Sequence, residues 1–147
     1  MNFNLDHSVN HNIATLAVLL KRQVFRIISK NKLEITPDQW VVLYYLWQKD
    51  GSSMGDIASK SKKDFANVTR IVDKLVKQGY VCKRKSKTDS RISNIYLQDK
   101  AERIKQGIQD CWEESSAIAL KGISEEEQQT LLKILGKIEV NILEHMR

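Results

Sequence analysis

The sequence predicts a mainly α fold carrying one small β-hairpin, an α+β arrangement in which helices dominate. Three observations predict it. The 147-residue chain holds one proline and six glycines, and it is rich in Lys, Glu, Ile and Leu, a mixture that favours helices with few breaks. Apolar residues recur at helical spacing along most of the chain. One stretch departs from that rhythm: "YVCKRK" (residues 80–85) opens on strand formers, and "ISNIYL" (92–97) alternates, with Ile95 and Leu97 on one face. The basic segment "KSKTDSR" (85–91) joins the two runs into a hairpin.

Ile13, Leu16, Leu20, Val24, Ile27 and Ile28 predict a first helix from about Ser8 to Lys30, with apolar residues on more than one side. "TPDQW" starts a second: Thr36 caps it, Pro37 suits the first helical position and Gln39 completes a capping box. Trp40, Leu43, Tyr44 and Trp47 share one of its faces, and Asp50-Gly51 ends it. Ser53 caps a short third helix to Ser61, with Ile57 and Ala58 turned inward. A turn through Lys62 and Lys63 leads to Asp64, which caps "FANVTRIVDKLVKQ"; Gly79 terminates that helix. After the hairpin, Ile104, Ile108, Cys111 or Trp112, and Ile118 predict a fifth helix closed by Gly122. Ser124 with Glu127 is a second capping box, opening a last helix marked by Leu131, Leu135, Ile138 and Ile142.

Charge is unevenly spread. Residues 54–97 hold eleven Lys and Arg against four Asp, so the whole positive excess of the chain, +6, sits in this central segment. Such clustering points to a polyanionic partner, most simply nucleic acid. Nothing resembles a secretion signal or a membrane span, and the two cysteines, Cys82 and Cys111, have no zinc spacing, so a cytoplasmic protein with reduced thiols is expected. His7 and His11, at i and i+4, are too few for a metal site, and neither metal nor cofactor is expected. No Gly-rich phosphate loop, carboxylate pair or supported Ser/His/Asp or Cys/His order speaks for an enzyme.

Helix, short helix, turn, helix and hairpin together make a winged helix-turn-helix, whose second motif helix enters the DNA major groove. Val68, Ile71, Val72 and Leu75 form the buried face of that helix. Asn67, Arg70, Lys74 and Lys77 share another stripe, with Thr69 beside it. Asn pairs with adenine edges, Arg with guanine, and Thr touches a thymine methyl or a phosphate. Lys62, Lys63, Lys77 and Arg84 are candidate phosphate contacts.

"NVTRIVDKLVKQGYVCKRKSKTDSR" resembles the MarR family of bacterial transcription regulators through Val68-Thr69-Arg70, Val72-Asp73, Leu75, Gly79, Asp89 and Arg91, all without a gap. Thr36 with Gln39, and Ile57-Ala58, match upstream motifs. Ser61, Asn67, Lys83, Lys87-Thr88 and Leu97-Gln98 depart from the usual pattern. The resemblance implies that Arg91 enters the minor groove with Asp89 orienting it, and that Lys85, Lys87 and Ser90 complete a DNA-binding wing. The competing reading of Asp89 is a plain turn former. The resemblance also implies domains at 34–97 for DNA binding, and at 1–33 and 98–147 for helical dimerisation. The expected protein is a homodimeric regulator, a repressor, on palindromic A·T-rich double-stranded DNA. A small aromatic ligand would release it from a pocket whose candidate lining is His11, Trp40, Tyr44 and Trp112; each of these also suits core. The alternative is a winged-helix protein-interaction module without specific DNA binding.

Overall fold

The elements form in the expected order, and their boundaries follow the caps. The computed structural model describes residues 2–147. A single 3-10 turn, Leu5–His7, precedes α1 (Val9–Lys30). Ser8 separates the two in extended backbone and accepts the His11 N–H on its hydroxyl. His7 therefore lies outside the helix that carries His11, and their spacing is not that of one helical face.

At α2 (Pro37–Gln48) both halves of the expected box form: Thr36 Oγ1 accepts the Gln39 N–H at 3.1 Å, and Gln39 Oε1 accepts the Thr36 N–H at 2.9 Å. Gln39 is buried, and its amide nitrogen donates to Gln78 Oε1 at 2.8 Å. Gln78 in turn donates to the Glu34 carbonyl at 2.9 Å. A buried side-chain amide needs such partners, and here they fasten the start of α2 to the end of α4 (Phe65–Lys77). The core side of α2 is Val42, Leu43 and Leu46, while Trp40 and Trp47 are half-buried and Tyr44 is exposed. The aromatic face thus turns off the core edge, with Leu43 alone of the four fully buried.

Ser53 caps α3 (Met54–Ser61), and Lys62 then takes a left-handed conformation, φ 58°. Asp64 caps α4 by accepting the Asn67 N–H at 2.7 Å. Val68, Val72 and Leu75 are fully buried on α4, with Ile71 at the margin. β1 (Val81–Lys85) and β2 (Ser93–Leu97) pair antiparallel, Cys82 opposite Tyr96 and Lys85 opposite Ser93. The turn after α2 adds an unexpected third segment. Gly51 N–H donates to the Ile95 carbonyl and Ile95 N–H to the Ser52 carbonyl, both at 2.9 Å. Gly51 has φ +76°, and a Cβ there would stand 2.9 Å from the Tyr96 ring, so the glycine serves the sheet as well as the helix end.

One core unites these elements with Ile27 and Ile28 of α1 and with Ala101, Ile108 and Cys111 of α5 (Asp99–Ala119). Compactness divides the chain into a unit ending at Ser115 and a second, Ser116–Arg147. The second contains α6 (Glu125–His145), capped by the expected Ser124–Glu127 box. No residue of α6 is buried: Leu131, Leu132, Leu135, Ile142 and Leu143 are all exposed. On α1, Val9, Leu16, Val18, Leu19 and Phe25 are exposed too. Among the described residues no helix is long and apolar enough to cross a membrane.

Candidate nucleic-acid interface

With its apolar face in the core, α4 turns Arg70, Lys74 and Lys77 to solvent. Asn67 and Thr69 are half-exposed beside them. Thr69 Oγ1 donates back to the Phe65 carbonyl at 2.9 Å. The Asp73 carboxylate of α4 meets the Lys83 ammonium of β1, an ion pair between the helix and the hairpin. Lys83, a departure from the family pattern, thus retains a cation at this link.

The loop between the strands is an ordered tip. Ser86 N–H donates to the Ile92 carbonyl at 2.8 Å and Ile92 N–H to the Asp89 carbonyl at 3.0 Å. Within that turn Asp89 grips Arg91 three times. Asp89 Oδ1 accepts the Arg91 backbone N–H at 3.0 Å and Nε at 3.1 Å, and Oδ2 accepts Nη2 at 3.0 Å. The side-chain and backbone hydrogen bonds from Arg91 hold the Asp89 carboxyl below its ordinary range, and the guanidinium is correspondingly more basic. Asp89 is therefore both turn former and clamp. The Arg91 side chain remains 89% exposed, so its direction is set while its outer edge stays open. Lys85, Lys87 and Ser90 are exposed around it.

The other expected cations divide. Arg84 lies over the Tyr96 ring, 4.7 Å from its centroid, an arrangement that steers a guanidinium without neutralising it. Lys63 instead turns to Asp38 of α2 at 2.8 Å, and Lys21 of α1 reaches the same oxygen at 2.9 Å. Partial burial raises the Asp38 pKa, but the hydrogen bonds and charges of the two lysines outweigh it, so the carboxyl titrates below its ordinary value. Lys63 thereby ties α1, α2 and the turn before α4, rather than standing among the outward cations. Lys62 is exposed in the turn.

A separate groove of about 650 Å³ is lined by Trp40, Tyr44, Tyr45, Trp47, Ile108 and Trp112. Three of the four expected lining residues meet there; His11 does not line it. Lys105 sits at the groove with its ammonium 5.7 Å from the Trp47 ring centroid. Among the described residues, the Trp47 indole N–H alone is buried without a hydrogen-bond partner. Tyr45 and Lys105 were missed by sequence reasoning; the one signal was Lys105 preceding Ile108 and Trp112 on a common helical face. Cys111 is buried, and that burial pushes its thiol up, away from reactivity. Cys82 is half-exposed, its sulfur accepting from Gln98 Nε2 at 3.0 Å.

This geometry has close relatives. The chain is 24% identical over 115 residues to YybA of Bacillus subtilis (strain 168), an uncharacterized HTH-type transcriptional regulator, spanning 78% of this chain and 77% of that protein. A MarR protein from Peptoclostridium difficile DA00132 superposes with a TM-score of 0.84 at 25% identity, covering 97% of this chain and 92% of the other. The transcriptional repressor CouR, bound to a 23-mer DNA duplex, shares the fold with a TM-score of 0.82 at 18% identity, over 92% of this chain and 94% of its own. Residues 35–93, which hold the helix-turn-helix and most of the hairpin, match the MarR family model.

Proposed function

We propose that the protein is a homodimeric transcription repressor that binds a palindromic, A·T-rich operator, α4 in the major groove and the wing in the adjacent minor groove. The observation that carries this reading is the Asp89–Arg91 clamp, which aims an open guanidinium from an ordered basic tip. A narrow A·T-rich minor groove concentrates negative potential and attracts an inserted arginine. Two α4 helices one helical turn apart would meet successive half-sites of a palindrome. The exposed apolar stripes of α1 and α6 supply a surface for a second copy.

Small aromatic acids fit the groove as effectors. Its walls are apolar and aromatic, and Lys105 offers a cation. Selection of genomic fragments on the purified protein, followed by release with a panel of aromatic acids, tests both parts. A recurring palindrome set free by one class of acid is expected; retention of fragments without a common sequence contradicts the operator reading. Arg70→Ala should weaken operator binding by about 1–3 kcal/mol and relax base preference at one position of each half-site.

A further inference from the structure

Phe65, the first residue of α4, is 60% exposed on a helix whose remaining outward surface is polar or basic apart from Ala66 and the marginal Val76. It stands one turn before Thr69, at i and i+4, so the two side chains are neighbours on the surface. The Thr69 hydroxyl donates its proton to the Phe65 carbonyl, so its methyl is the group left for apolar contact. The result is a small apolar patch at the leading turn of the helix, flanked by exposed Arg70 and, farther along, Lys74 and Lys77.

We infer that Phe65 is a specificity-determining residue that, with the Thr69 methyl beside it, packs against thymine 5-methyl groups on the floor of the major groove. The surrounding cations call for a polyanion, and the thymine methyl is the apolar group that the major groove of DNA presents. The first turn of a motif helix is the part that approaches base edges. An exposed phenylalanine there gains by leaving water on meeting such a group. The inference rests on the DNA-binding reading and adds to it the base that one position selects.

The test scans a selected operator, replacing each thymidine singly by deoxyuridine, which deletes only the methyl, and measures affinity by fluorescence anisotropy with the full chain. At one or two positions per half-site the unaltered protein should bind the deoxyuridine duplex about fourfold more weakly, the worth of one buried carbon. Phe65→Ala should bind the thymidine duplex more weakly and lose that discrimination at the same positions. Phe65→Leu should keep part of it, and Thr69→Ser, which retains the hydroxyl, should weaken it at a neighbouring position. The salt dependence should be the same for all four proteins, since no phosphate contact changes. Indifference of the unaltered protein to every deoxyuridine, or an undiminished ratio in Phe65→Ala, overturns the assignment while leaving the DNA reading intact. Failure to hold any duplex overturns both.

Discussion

Asp89 illustrates how one residue serves two demands. Its negative charge opposes DNA phosphate, yet its three hydrogen bonds fix the Arg91 guanidinium before any ligand arrives. Pre-ordering a long side chain removes part of the entropy lost on binding. The two effects predict opposite outcomes for Asp89→Ala. If charge dominated, the variant would bind every duplex more tightly. With orientation dominant, operator affinity falls by about threefold to tenfold while affinity for a scrambled duplex rises slightly, and the ratio measured by competitive anisotropy drops. Acid should mimic the change: the folded Asp89 pKa is depressed, so the clamp is intact above the ordinary carboxylate range and is lost as pH falls through the lowered value. The contact between Asp89 and Arg91 was legible because the two lie two residues apart. The fate of Lys63 was not, because its partner Asp38 lies 25 residues away and the turn geometry decides which way the ammonium points.

At the scale of elements, caps and glycines made the helices readable. Thr36 with Gln39, Ser53, Asp64 and Ser124 with Glu127 each sit where a helix starts, because local hydrogen bonds answer the unpaired N–H groups of a first turn. Burial was less readable. The apolar face of α2 was wide enough to allow either Val42 and Leu46 or the aromatics to face inward, and packing against α3 and α4 chose the aliphatics. The third sheet segment at Gly51 was hidden because two residues of pairing leave no alternation to detect. Asp38 joins three elements, α1, α2 and the turn before α4. Its pKa is lowered in the fold, so its stabilisation is present above about pH 4, the unfolded value, and disappears as pH falls below that. Asp38→Asn should therefore lower stability at pH 7 by about 1 kcal/mol or less, as partly exposed pairs do. In urea titrations the difference should shrink as pH falls below the ordinary carboxylate range and vanish once it has passed through the lowered value. A deficit that persists unchanged in acid would show that the ion pairs are not its source.

For the whole molecule, the exposed apolar stripes of α1 and of α6 are the observation behind the proposed dimer. A helix with Leu131, Leu132, Leu135, Ile142 and Leu143 all in water is far outside the habit of a stable monomer surface. Sedimentation equilibrium should give twice the chain mass. Leu135→Glu should shift the protein to the single-chain mass at micromolar concentration, because an interface cannot bury an unpaired carboxylate without large loss. A single-chain mass for the unaltered protein would refute the dimer. In the proposed dimer the wing and α4 would be duplicated on one duplex, so that each half-site would contribute. The central claim, that an oriented arginine on the wing reads the operator, is tested most directly by titrating operator affinity across a range of salt for the unaltered protein and for Arg91→Ala. The expected result is a loss of about tenfold or more at physiological salt, with a salt slope less steep by about one or two for the two wings of a dimer. Equal affinity and equal slope would contradict it.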